Sequence, residues 1–180
     1  VLYGLLPLLN GWTFKPYDID IWKLAKEPIT VRKGTTYFLS EAKKPGFLVA
    51  AAVVVDSKQA QITIEYYDSY GRIQRMTARP YGLYYSGYLQ PNPIGPWLAR
   101  YDETENVYAI MISPSHPIPF RADDNKRYRA YLTATEEDTN LLGFQEAIIL
   151  IDDEEAFMES LRRVWYPIEK ILKQFLRGGK

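Results

Sequence analysis

Between Gln61 and Tyr66 apolar and polar side chains alternate strictly, with Ile62, Ile64 and Tyr66 set against Gln61, Thr63 and Glu65. A period of two puts the first set on one face of an extended strand and the second on the other, so the segment is predicted to be a half-buried β-strand. The pattern recurs where Tyr128, Ala130, Leu132 and Ala134 alternate with Arg127, Arg129, Tyr131 and Thr133. Ile29–Val31 and Thr35–Leu39 are β-branched or aromatic runs separated by the turn pair Lys33-Gly34. Trp97–Tyr101, Val107–Ile112 and Phe144–Ile151 read as further strands. Phe47–Val55 is a continuous apolar run opened by Pro45-Gly46; its short length and three consecutive valines predict a strand buried on both faces. Asp68-Ser69-Tyr70-Gly71 predicts a hairpin turn into Arg72–Thr77, and such hairpins build antiparallel sheets. Three prolines in Ser113–Phe120 place that stretch at an edge or crossover, because proline donates nothing to a ladder. About eight short strands with turn chemistry between them predict a mainly β fold, an antiparallel β-sandwich or jelly-roll-like domain. No helix is predicted between successive strands, which excludes βαβ units.

After Ile151 the period changes. Phe157, Leu161, Val164, Trp165, Ile168, Ile171, Leu172 and Phe175 recur at helical spacing, predicting a C-terminal amphipathic α-helix. Asp152 is the expected N-cap, with Glu155 three residues on, and acidic residues at the start and basic residues at the end suit the helix dipole. Pro167 should kink or split the helix near Tyr166. Beyond that kink Ile168, Ile171, Leu172 and Phe175 become candidates for contact with another molecule. Residues 1–27 mix proline, glycine and aromatics and read as an arm or irregular lead-in, with a short strand or helical turn in Asp18–Ala25. The expected layout is thus residues 1–27, a β-sandwich over 28–151, and the helix over 152–180, within one domain-sized chain.

Composition narrows the function. Hydrophobic content of 47% and charged content of 24% are those of a globular chain. Lys and Arg number 22 and so do Asp and Glu, with no basic stripe, which argues against nucleic acid as a partner. The absence of cysteine excludes disulfides, zinc ribbons and thiol chemistry, and fits assembly in a reducing cell. Val1–Leu9, broken by Gly4 and Pro7, is too short to span a bilayer and lacks the flanks of a signal peptide, so a soluble, non-secreted chain with no membrane partner is expected.

Catalytic chemistry finds little to build on. A Ser-His-Asp triad would need the lone His116, which sits in Pro-Ser-His-Pro and reads as an exposed loop residue. Asp102, Glu103 and Glu105, and likewise Asp123, Asp124 and Asn125, offer oxygen ligands for calcium, but neither group has the spaced, glycine-containing loop, and turn residues are the simpler reading. A β-sandwich glycosidase would need two facing carboxylates; Glu65, Glu146, Asp68 and Asp152 are available, and otherwise read as the polar face of a sheet. No phosphate-cradling glycine loop is present. No catalytic residue, metal ligand or cofactor is therefore assigned, and the chain is expected not to be an enzyme.

Tyrosine is the compositional outlier, with 15 residues. Tyr81, Tyr84, Tyr85, Tyr88 and Trp97 crowd a proline-rich stretch, with Tyr66, Tyr67 and Tyr70 upstream. Tyr and Trp supply stiff contact area with a polar tip and are enriched at interfaces. Those five are the candidate contact residues, with protein as the expected partner and carbohydrate stacked on the rings as the alternative.

Pro45-Gly46-Phe47-Leu48, Asp56-Ser57, Ile62-Thr63-Ile64-Glu65, Pro80-Tyr81-Gly82-Leu83-Tyr84, Gln90-Pro91-Asn92-Pro93, Arg100-Tyr101-Asp102, Asn106-Val107-Tyr108 and Pro117-Ile118-Pro119-Phe120-Arg121 follow one another across Lys44–Arg121. This succession resembles small β-sandwich virion proteins of tailed phages and archaeal viruses, found in tails, adhesion devices or capsid decorations. The resemblance covers under half of the chain. It implies a non-enzymatic structural protein present in many copies, contacting itself and other virion proteins, located in the virion and, during assembly, in the host cytoplasm.

Overall fold

The computed structural model describes residues 17–23, 28–151, 153–167 and 170. Two compact units are distinguished: Ile19–Leu150, and Val1–Asp18 together with Ile151–Lys180. The first unit is a sandwich-like arrangement of two antiparallel sheets, as the alternating patterns predict. The strands in chain order are β1 (Tyr17–Lys23), β2 (Ile29–Val31), β3 (Thr36–Ala42), β4 (Gly46–Val55), β5 (Gln61–Tyr67), β6 (Ile73–Ala78), β7 (Pro96–Asp102), β8 (Val107–Ile112), β9 (Ile118–Phe120), β10 (Tyr128–Thr133) and β11 (Thr139–Ile151). One sheet runs β1-β11-β4-β8-β7, with β2 also pairing β11 and β9 also pairing β4; the other runs β3-β10-β5-β6. The eleven strands described exceed the expected eight or so chiefly because β1, in the expected lead-in, and β9, in the three-proline stretch, both join the larger sheet.

The core lies where the two inner faces meet. β5 contributes Ile62 and Ile64, β10 contributes Tyr128, Ala130 and Leu132, and all five are 2% exposed or less, while Tyr66 packs partly buried against them. Facing them from the larger sheet are Val53, Val55, Ile110, Ile112, Leu141, Phe144 and Ile148. Each such large aliphatic or aromatic side chain contributes about 1.5–3 kcal/mol by leaving water. β4 is more one-sided than its continuous apolar run suggests: Val49, Ala51, Val53 and Val55 are buried, whereas Ala50, Ala52 and Val54 are only half-buried. β9 fits the three-proline segment: Ile118–Phe120 pairs only with the start of β4.

The predicted hairpin joins β5 to β6, with Tyr67 opposite Ile73. Gly71 occupies the left-handed region at φ 75°, where a Cβ would be strained. Asp68 organises the turn. Its carboxylate accepts from the backbone N–H groups of Tyr70 and Arg72, both at 2.9 Å, from Arg72 Nε at 2.9 Å and from Gln74 Nε2 at 3.1 Å. Burial alone would raise its pKa, but these hydrogen bonds, led by the Arg72 backbone, outweigh burial and hold it below 3.8. Asp68→Ala should cost about 1–3 kcal/mol at neutral pH, the value of charge-assisted hydrogen bonds lost from one carboxylate. A depressed folded pKa means that this stability is present above the unfolded value and fades as the pH falls through the folded one. Urea titrations should therefore show the gap between wild type and variant closing below pH 3.8; a gap that persists there would assign the loss to turn geometry instead of charge.

The chain reverses one expectation between β6 and β7, where Pro80–Tyr85 forms a short helix, α1. The strands on either side belong to different sheets, so α1 is a crossover between sheets and no βαβ unit results. In the second unit, α2 spans Glu154–Ser160. Its N-cap is Asp153, not Asp152: the Asp153 side chain accepts from the Glu155 N–H at 2.9 Å, which leaves Glu155 inside the first turn. Phe157 and Leu161 are buried, as the helical spacing predicts. Over Leu161–Trp165 the helix widens to π form, and the Tyr166 N–H donates to the Leu161 carbonyl. This change of winding falls just before Pro167, which cannot supply an N–H of its own. The residues expected to make intermolecular contacts beyond it, Ile168, Ile171, Leu172 and Phe175, lie outside the described residues, as do Asp152 and residues 1–16. Among the described residues no helix is long and apolar enough to cross a membrane.

Candidate functional site

Pro80 opens α1 at a position whose missing N–H costs nothing, and its fixed φ suits the first turn. The Tyr81 N–H donates to the Lys58 carbonyl at 2.9 Å, and Leu83 inserts into the core, 8% exposed. With Pro80 and Leu83 directed inward, a single helical turn leaves Tyr81, Tyr84 and Tyr85 outside. That resolves the pair Tyr84-Tyr85, which no strand could bury together.

The rings form a chain. Tyr81 and Tyr85 have centroids 4.4 Å apart at 43°, and Tyr85 meets Tyr84 edge-on at 5.4 Å. Tyr84 stacks on Tyr101 of β7 at 4.1 Å and 16°, and Tyr101 meets the buried Tyr108 of β8 at 5.0 Å. A core tyrosine is thus linked through ring contacts to Tyr85, which is 69% exposed. The stretch after α1 continues the surface. The Tyr88 N–H donates to the Leu83 carbonyl at 3.0 Å, and Leu98 of β7 donates to the Tyr88 carbonyl at 2.8 Å. Asn92 Oδ1 accepts from the Ile94 N–H at 3.1 Å, and the Pro93 carbonyl accepts from Ser115 at 3.0 Å. Tyr88, Leu89 and Ile94 are exposed on this anchored loop.

Of the ten large hydrophobic side chains exposed among the described residues, six (Tyr81, Tyr84, Tyr85, Tyr88, Leu89 and Ile94) belong to this segment. No charged residue occurs from Pro80 to Ala99, in a chain where 24% of residues are charged. At its margin the charges pair with one another: Lys58 with Glu103 at 2.7 Å, and Arg100 with Asp102 and Glu105. Neighbouring Tyr81, then burial, pushes the Tyr85 phenol above its usual pKa; burial, then the Glu103 carboxylate, does the same for Tyr101. Both stay neutral at physiological pH and can each donate and accept.

Trp97, the fifth expected contact residue, does not join the cluster. It is half-buried on β7 and its Nε1–H donates to Ser113 Oγ at 2.9 Å. Tyr66 packs against the core, and Tyr70 lies at the hairpin with the Arg72 guanidinium 5.1 Å from its ring centre. What sequence reading missed is the helix that turns three tyrosines outward. The uncharged run from Pro80 to Ala99 was the available signal.

Of the carboxylates considered for hydrolysis, Asp152 lies outside the described residues, Asp68 is taken up by its turn, and Glu65 and Glu146 sit in different settings. Glu65 lies on the outer face of its sheet, bonded to Arg75 Nε at 2.5 Å. Glu146 belongs to no polar face: it is 1% exposed on the inner side of β11. Its Oε2 accepts from Ser40 Oγ of β3 at 2.5 Å and its Oε1 accepts from the Tyr128 hydroxyl of β10, so the carboxyl joins the two sheets. Asp102 accepts from the N–H groups of Thr104 and Glu105, and Asp123 from those of Asn125 and Lys126; both are turn-forming carboxylates. Among the described residues no group of three or more His, Cys, Asp or Glu is placed to hold a metal. His116 lies in its loop with Nδ1 2.8 Å from the Ser115 carbonyl oxygen.

No family model matches the chain, and neither does any curated protein. Among solved structures it is similar to the structure of infectious bursal disease virus, Gx strain, at a TM-score of 0.26 and 11% identity, over 93% of this chain and 50% of that one. The chain spans half the length of that relative, and a likeness at this level carries no functional argument.

Proposed function

We propose that this chain is a non-enzymatic structural or assembly protein of a virus particle, acting through protein–protein contacts at the tyrosine surface of α1 and the loop that follows it. One observation carries the contact role: an anchored, uncharged, aromatic surface holds six of the ten exposed large hydrophobics. Concentration of exposed apolar groups in one place marks an interaction site, whereas scattered ones need no explanation. The assignment to a virion, and to host cytoplasm during assembly, rests on the sequence resemblance to virion β-sandwich proteins.

Ring geometry favours protein over carbohydrate as the partner. A sugar platform needs an open, flat aromatic face, whereas Tyr84 spends one face on Tyr101 and Tyr81 and Tyr85 are tilted against each other. Rings packed against one another in this way suit a protein interface.

Quantitative mass spectrometry of purified particles tests the reading. The chain should be present in many copies, and Tyr84→Ala with Tyr85→Ala should lower its incorporation by about tenfold or more, the effect of losing aromatic anchors at an interface centre. A chain absent from particles, or one incorporated equally well without both rings, defeats it.

A further inference from the structure

We propose that Ser40, Glu146 and Tyr128 form a proton-operated latch on the edge strand β3: with the carboxyl protonated, β3 is closed onto the sandwich, and with the carboxyl ionised, β3 opens ahead of the rest of the fold. The latch is separate from the tyrosine surface and from its contact role.

An irregularity in β3 brings the three side chains together. Tyr37 and Leu39 turn toward the core and Phe38 turns out, a rhythm that would send Ser40 to solvent. Instead the register against β10 shifts. Tyr131 faces Phe38 and Ala130 faces Ser40, which leaves Leu39 as the extra residue of a β-bulge. Leu39 and Ser40 are thereby buried side by side, 4% and 5% exposed. A bulge re-aims a side chain, and this one aims a hydroxyl at Glu146, the one acid buried among the described residues. Ser40 Oγ lies 2.5 Å from Glu146 Oε2, and the Tyr128 hydroxyl bonds Oε1.

The surroundings suit the protonated carboxyl. Its neighbour across β4 is Ala51, and Phe120 packs on the Tyr128 ring. Tyr66, the other titratable group near Tyr128, is also held neutral, chiefly by burial. Arg127 and Arg129, the cations on either side of Tyr128 in β10, bond Glu41. A protonated carboxyl can donate to one hydroxyl and accept from the other. An ionised one has two neutral donors and no cation, so it draws water inward.

β3 is the element that gives way. Among the described residues it pairs with β10 alone, whereas β10 lies between β3 and β5, and β11 is paired by β4 and by β2. Parting β3 breaks one ladder and lets water reach the carboxyl, and moving either of the others breaks more. Local opening follows the route that breaks least.

Amide hydrogen exchange of the full chain between about pH 4 and pH 8, corrected for the intrinsic rate at each pH, tests the latch. Protection of Thr36–Ala42 should fall by about tenfold or more as the pH rises, the change brought by one pH unit between the carboxyl's closed and open pKa. Gln61–Tyr67 of β5, paired on both sides, should keep its protection. The midpoint should lie above 4.5 and coincide with ionisation of the Glu146 carboxyl, followed by carbon NMR in the same protein. Ser40→Ala removes a hydroxyl that favours the charged form, so both midpoints should move to higher pH. Glu146→Gln, with no proton to lose, should keep β3 protected throughout. A wild-type β3 whose protection ignores pH, or a carboxyl midpoint apart from that of β3, overturns the proposal. So does the same pH dependence in Glu146→Gln. Loss of protection in β5 together with β3 also overturns it, because the proton would then act on the whole sandwich.

Discussion

Gly46→Ala should cost about 3 kcal/mol or more, at the upper end of what a single added methyl does in a packed interior. A Cβ at this position would stand 2.0 Å from the Ile149 carbonyl oxygen, and 3.1 Å from both the Ile149 carbonyl carbon and Phe120 Cζ. The nearest atom is backbone, so no rotamer change relieves the overlap. Gly46 sits between two partners, opposite Leu150 of β11 on one side and Phe120 of β9 on the other. Making room means parting β4 from β11 where Phe47 also faces Ile149, or displacing Phe120, which is fully buried. Urea unfolding followed by tryptophan fluorescence measures the loss; a cost under about 1 kcal/mol would mean that the strands can separate here without consequence. Next to Pro45 this glycine reads in the sequence as a turn residue. Its role is close approach between three strands, which no local pattern announces.

A second large effect is expected at Glu146. Its carboxyl bridges Ser40 of β3 and Tyr128 of β10, and burial raises its pKa above 4.5, only partly offset by those two hydroxyls. Burial likewise holds the Tyr128 hydroxyl well above 10.0, so it stays a donor. The groups facing this carboxyl are hydroxyls, with Tyr66 nearby, and no cation is among its hydrogen-bond partners. An acid with a raised folded pKa binds its proton more tightly folded than unfolded. Its contribution is therefore full below the unfolded value and is lost as pH rises through the folded value. Stability should fall as the pH climbs above 4.5. Glu146→Gln keeps the shape, with an amide oxygen to accept from one hydroxyl and an NH₂ to donate to the other, and it carries no titrating proton. Its melting temperature should exceed that of wild type at pH 8 and lose that advantage at pH 4, with shifts of about 2–4 °C per kcal/mol. Glu146→Ala should be worse than wild type at both, by about 2–4 kcal/mol, because two buried hydroxyls lose their partner and a cavity opens. Parallel pH dependence of wild type and Glu146→Gln would show that the carboxyl does not titrate between the sheets.

The sequence alone determined the local character of most of the first unit. Ile62 and Ile64, and Tyr128, Ala130 and Leu132, alternate at the strand period, and period alone tells which face goes inward once one face is apolar. Asp68 and Gly71 announce their turn because turn dihedrals select side chains locally. The buried Phe157 and Leu161 follow from helical spacing in the same way. Tertiary structure decided what depends on partners far along the chain. β4 is flanked by β8 and β11, more than fifty and more than eighty residues later in sequence, and no single-strand pattern encodes that choice. The tyrosine-rich turn Pro80–Tyr85 has poor helix formers and is helical because Leu83 finds the core and Tyr84 finds Tyr101. Glu146 looks like a wet-face residue and lies inside because Ser40 and Tyr128, on the opposite sheet, meet its carboxyl. A polar group can be buried only where another segment satisfies it, so its place is a property of the assembled pair of sheets and not of the strand that carries it.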